Sequence, residues 1–158
     1  MITSRCGLSG NEGEFVGWVE HRDTQQMAVH HHDLNVRHRK MELRCNACGV
    51  QLTEQLVELT DEKMLSQEDK SAFVPKGKYF VSSGEYVPEQ KGDFLVNLSD
   101  LVGTQLTKDP RRLNGCCGLD GLDGLNLLCP NGHEVGTERS DCWLPHYAIL
   151  SEDKVTSA

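Results

Sequence analysis

Short runs in which apolar and polar residues alternate recur from residue 42 onward, and a period of two marks strands with one buried face. Glu42-Leu43-Arg44 and Val50-Gln51-Leu52 alternate on either side of a tight turn. Lys78-Tyr79-Phe80-Val81-Ser82 and Asp93-Phe94-Leu95-Val96-Asn97-Leu98 read as strands, as do residues 126–129, 133–137 and 146–150. Ser83-Gly84-Glu85 and Pro88-Glu89-Gln90-Lys91-Gly92 are turn material between them. Residues 53–70 are polar with scattered apolar positions, which suits a short helix or a loop. Ser99-Asp100-Leu101 opens a helical turn, and Asp109-Pro110-Arg111-Arg112 makes a turn. The pattern predicts a mainly β domain over residues 41–150, a small α+β domain being the alternative, followed by a polar, flexible tail at 151–158.

The first 40 residues differ. They hold Gly7, Gly10, Gly13 and Gly17 and little apolar periodicity, apart from one strand or short helix near residues 15–19. A poorly ordered extension is expected there, because little apolar surface is available to offset the entropy of ordering. His30-His31-His32 and His38 could bind metal only adventitiously, since no carboxylates or cysteines are spaced to complete a site. Met41 stands directly before the first cysteine turn and could open the folded unit.

The strands frame a specific chemistry. Cys45-Asn46-Ala47-Cys48-Gly49 is a turn presenting two thiols, and Gly49 tolerates the positive φ that such a turn needs. Cys129-Pro130-Asn131-Gly132-His133 is a second turn, with Asn131-Gly132 as its bend. Two such turns supply the four ligands of a closed, structural Zn²⁺ site: Cys45, Cys48, Cys129 and His133. A redox pair of the thioredoxin kind should open a helix after a strand, and Gly49-Val50-Gln51-Leu52 argues against a helix start. Many residues separate Cys48 from Cys129, so either a long insertion lies between the turns or the two ends of the domain meet at the metal.

Three further cysteines leave the fourth ligand open. Cys116 and Cys117 are adjacent, and neighbours on a strand face opposite ways, so at most one would reach a given site. Cys142, beside Trp143 and ahead of an apolar strand, reads as a small buried hydrophobe. Cys117 or Cys142 could nevertheless replace His133. Gly118-Leu119-Asp120-Gly121-Leu122-Asp123-Gly124 offers Asp120 and Asp123 as hard oxygen ligands for Ca²⁺, but it lacks the further acidic positions of an EF-hand and reads as a glycine-rich loop crossing the sheet.

Cys45 to Gly49, the run from Arg112 to Gly121 and the stretch from Cys129 to Trp143 together resemble uncharacterised bacterial proteins with zinc-ribbon-like cysteine pairs. The resemblance covers residues 41–150 and implies one bound Zn²⁺; it brings no activity with it. Such proteins are expected to carry a CxxC, or a near equivalent, at the second turn, where this chain has His133 after one extra spacer.

Composition narrows the function. The 158 residues carry a net charge of −8, which disfavours a ribbon that grips nucleic-acid phosphates, although Arg111, Arg112 and Arg139 could cluster locally. Seven cysteines without a signal-peptide pattern suit a reducing cytoplasm, and no stretch approaches the length of a membrane span. The expectation is a non-enzymatic, zinc-stabilised domain acting through protein contacts. A transcription-linked or nucleic-acid-binding ribbon is the alternative. A cysteine-dependent enzyme, with Cys117 as nucleophile, His146 as base and Asp141 as orienter, is a second alternative.

Overall fold

The computed structural model describes residues 40–85 and 88–158. The extension at 1–40, its strand near residues 15–19 and its histidines therefore fall outside the described residues, save for Lys40. Among the described residues nine short strands form: β1 (Leu43–Cys45), β2 (Val57–Glu58), β3 (Lys78–Val81), β4 (Phe94–Val96), β5 (Gln105–Leu106), β6 (Leu127–Leu128), β7 (Glu134–Arg139), β8 (Tyr147–Leu150) and β9 (Val155–Ser157). The helical elements among the described residues are three single 3₁₀ turns, so the class is mainly β. Those turns, Glu62–Met64, Leu98–Asp100 and Pro110–Arg112, start at Asp61, Asn97 and Asp109, whose side chains accept a backbone N–H of the turn. Among the described residues no helix is long and apolar enough to cross a membrane.

Seven strands form one mixed sheet in the order β2-β3-β4-β8-β7-β6-β5, parallel between β2 and β3 and antiparallel elsewhere. All four residues of the central strand β8 are buried, because both faces of the sheet are covered there. Alternation divides them between two clusters. Tyr147 and Ile149 join Leu95, Phe73 and Val74 on one face, with the Phe73 and Tyr147 rings 4.7 Å apart. Ala148 and Leu150 join Val96, Tyr79, Leu127 and Val135 in the larger core.

The remaining two strands, β1 and β9, pair antiparallel as a ribbon, with Cys45 opposite Val155. Leu43, Cys45 and Val155 of this ribbon pack into the larger core, as does Cys129 at the end of β6. Large apolar side chains buried this fully contribute ~1.5–3 kcal/mol each. The ribbon corrects the expectation for residues 151–158. Three of them form β9 instead of a flexible tail, since their backbone completes the edge of β1 and Val155 fills the core. Residues 53–70 yield β2 and one 3₁₀ turn.

Candidate metal centre

Two turns deliver the ligands. In the first, Gly49 N–H donates to the Cys45 carbonyl (2.7 Å) and Cys45 N–H to the Val50 carbonyl (2.9 Å). In the second, Gly132 N–H donates to the Cys129 carbonyl and Cys129 N–H to that of His133, both at 2.9 Å. Gly49 has φ +71° and Gly132 φ +84°, and no atom lies within 4 Å of the place a Cβ would take at either. Glycine is needed there for its backbone freedom, not for space.

The turns bring Cys45, Cys48, Cys129 and His133 together, with all four ligand atoms within 4.8 Å of one another. Cys48 Sγ lies 3.8 Å from Cys129 Sγ, and His133 Nδ1 lies 3.3 Å from Cys129 Sγ and 3.8 Å from Cys45 Sγ. A tetrahedral ion with ~2.3 Å bonds to sulfur and ~2.0–2.1 Å bonds to nitrogen sets edges of about 3.8 Å between sulfurs and about 3.6 Å from sulfur to nitrogen. These three separations fall within about 0.3 Å of those edges. Cys45 and Cys129 are buried, whereas Cys48 and His133 are exposed, so the cage closes the rim of the core. Residues 81 positions apart in sequence meet there, and β2 to β6 fill the interval.

The electrostatics distinguish the thiols. Val50 N–H, then the Asn131 side chain, stabilise the Cys48 thiolate and hold its pKa at about 6. Burial pushes the Cys45 thiol up, because a thiolate there would lose hydration. Asn131 was visible in the sequence only as a turn residue; its role at the sulfur depends on the meeting of the two turns.

Cys117 and Cys142 do not replace His133. They are joined to each other by a disulfide, with Cα atoms 5.6 Å apart, in a separate cluster with Cys116. Two expectations fail here. Cys142 is half-buried and bonded instead of a core hydrophobe, and the adjacent cysteines both reach one site because residues 115–118 form a loop, not a strand. The catalytic arrangement of Cys117, His146 and Asp141 is not assembled either. The Asp141 carboxylate accepts four N–H groups, and His146 Nε2 lies 3.0 Å from the Asp141 carbonyl instead. Asp120 and Asp123 turn to local partners, Leu122 N–H and the Asn114 amide, within an irregular loop as expected.

Elsewhere, buried Glu89 accepts from Ser82 Oγ (2.8 Å) and Tyr147 Oη (2.7 Å), and Arg139 Nη1 donates to Tyr147 Oη (2.8 Å). Burial, then Glu89, raises the Tyr147 pKa. Every member of this network has its partners, as a structural tie between strands requires. Compared with family models, curated proteins and solved structures, the chain matches none of them. The zinc-ribbon-like resemblance thus stands on the residues alone.

Proposed function

We propose that Cys45, Cys48, Cys129 and His133 hold one structural Zn²⁺ and that the domain works in the cytoplasm as a non-enzymatic module binding other proteins. The observation that carries the metal reading is the tetrahedral size of the four-ligand cage. Three thiolates and a neutral imidazole leave the zinc site with one net negative charge, and protein ligands fill all four positions, the pattern of structural rather than catalytic zinc. The ion would pin the ribbon of β1 and β9 to the end of β6.

Two observations favour a protein partner. Trp143 is 68 % exposed, and its indole N–H already donates to Asp141, so the ring is presented in a fixed pose of the kind that anchors interfaces. The arginines that could have served nucleic acid are engaged locally. Arg111 pairs with Asp109, Arg112 with Asp109 and Glu134, and Arg139 with Tyr147 and the Asp120 carbonyl. Elemental analysis of the purified protein tests the metal reading: about one tightly held Zn²⁺ per chain is expected from this cage. Natively folded protein without metal would overturn it. Binding to DNA or RNA at low salt that weakens steeply as salt rises would restore the nucleic-acid reading.

A further inference from the structure

The second cysteine cluster is held together by something other than its disulfide. Cys116, Cys117 and Cys142 bring their sulfurs within 4.8 Å of one another. Asp141, 1 % exposed, accepts Cys117 and Cys142 N–H on Oδ1 (2.9 and 2.7 Å). On Oδ2 it accepts Cys116 N–H and the Trp143 indole N–H (2.8 and 2.6 Å). One carboxylate thus clamps the loop at 115–118 onto the turn at 141–143. Contact is close enough that a Cβ at Gly118 would lie 2.1 Å from the Ser140 carbonyl oxygen. Ser140 and Asp141 N–H both donate to the Leu119 carbonyl and extend the same seam.

Opening the Cys117–Cys142 bond therefore leaves three thiols gathered on an ordered frame. Their donor chemistry is soft, which excludes Ca²⁺ and Mg²⁺, and the one carboxylate nearby has both oxygens occupied. Cys116 and Cys117 are exposed, so a bound ion would keep a fourth position open to solvent, unlike the closed first cage.

We propose that Cys116, Cys117 and Cys142 form a second, redox-gated site for a soft d¹⁰ cation, of which the Cys117–Cys142 disulfide is the oxidised, metal-free state. Gating is balanced as follows. A dithiol reductant passes two electrons and two protons to the Cys117–Cys142 bond and leaves as its own disulfide. Zn²⁺ then displaces the three thiol protons to solvent and takes three Zn–S bonds. A disulfide-class oxidant then takes two electrons from the Cys117 and Cys142 sulfurs and leaves as two thiols with two protons from solvent; the Cys117–Cys142 bond re-forms, the ion dissociates, and the Cys116 thiolate takes up a proton.

The test is Zn²⁺ titration of the full chain against a chromogenic chelator. The protein is first reduced with dithiothreitol and desalted without oxygen. The reduced wild type should bind one more Zn²⁺ per chain than reduced Cys116→Ser or Cys142→Ser. Oxidised wild type, with the Cys117–Cys142 bond verified by peptide mapping, should match the variants. Cys116→Ser removes an exposed thiol and leaves the disulfide pair intact, so it keeps the measurement independent of folding. Equal stoichiometry in reduced wild type and Cys116→Ser overturns the proposal. The readout is a difference of one equivalent, so it stands whatever the first cage binds.

Discussion

Cys45 ends β1 and Cys129 directly follows β6, both buried at the edge of the main core, whereas Cys116, Cys117 and Cys142 sit on loops ordered by one carboxylate. Apolar burial and strand pairing bring the ligands of the first cluster together across most of the domain. Those of the second are gathered by hydrogen bonds over 25 residues. The difference separates two roles for sulfur. In the first cluster the donors converge only when the sheet and ribbon pack, so ligation of an ion there would be coupled to folding. In the second, the backbone is held by hydrogen bonds to Asp141 that do not involve sulfur, which is what a reversible site needs.

The largest effect should come from the buried ligands. Cys45→Ser or Cys129→Ser, or chelation of the ion, should abolish the cooperative transition in calorimetry and the near-UV circular dichroism. Zinc binding contributes ~10–16 kcal/mol in small zinc domains, against a net stability of ~5–15 kcal/mol for typical domains. His133→Ala should also release the ion but leave more residual affinity, since the imidazole is exposed and three sulfurs stay in place. An unchanged transition in metal-free Cys45→Ser would mean that packing alone holds the first cluster.

Next comes the ribbon. Removing residues 152–158 strips β1 of its partner and should lower both the melting temperature and the metal affinity, read by chelator competition. Val155→Ala, a milder version, should cost ~1–2 kcal/mol through lost burial. If the truncated chain keeps its affinity, the ribbon does not position Cys45.

Decoupling of the two clusters is sharpened by Asp141→Asn, which weakens the clamp. Faster alkylation of Cys116 is expected, together with full metal occupancy at the first cage. Acid should weaken the same clamp. The Cys116 and Cys117 N–H groups hold the Asp141 carboxyl well below the usual carboxylate range. Its contribution is therefore complete above the ordinary carboxylate pKa of about 4. It fades as pH falls through the lower folded value. Loss of first-cage metal in Asp141→Asn would show that the clusters are coupled.

Smallest is a shift in acid release at the first cage. With the Cys48 thiol held at about 6, protons compete for that sulfur only as pH falls through that value. Asn131→Ala removes one of the groups that lower it and should move the onset of metal release upward by less than about one pH unit. Zinc release followed against pH checks the direction.

Much of this was written locally. The alternation around Tyr79, Leu95 and Ile149 marks strands because it reports which face is buried, and Gly49 and Gly132 mark the two turns because L-residues avoid their φ. The four residues that converge were likewise legible as paired turns of soft donors. What the sequence did not carry was long-range. Val155 is a lone apolar residue in a polar stretch, so β9 becomes visible only when β1 offers it an open edge. Adjacent Cys116 and Cys117 obey strand alternation on paper, and only the loop pinned by Asp141 turns both toward Cys142. Sequence by itself determined most of the strands, the turn chemistry and the inventory of soft donors, all properties of short windows. Tertiary structure decided which donors share a site, because that depends on pairings between segments whose spacing in the chain says nothing of their distance in space.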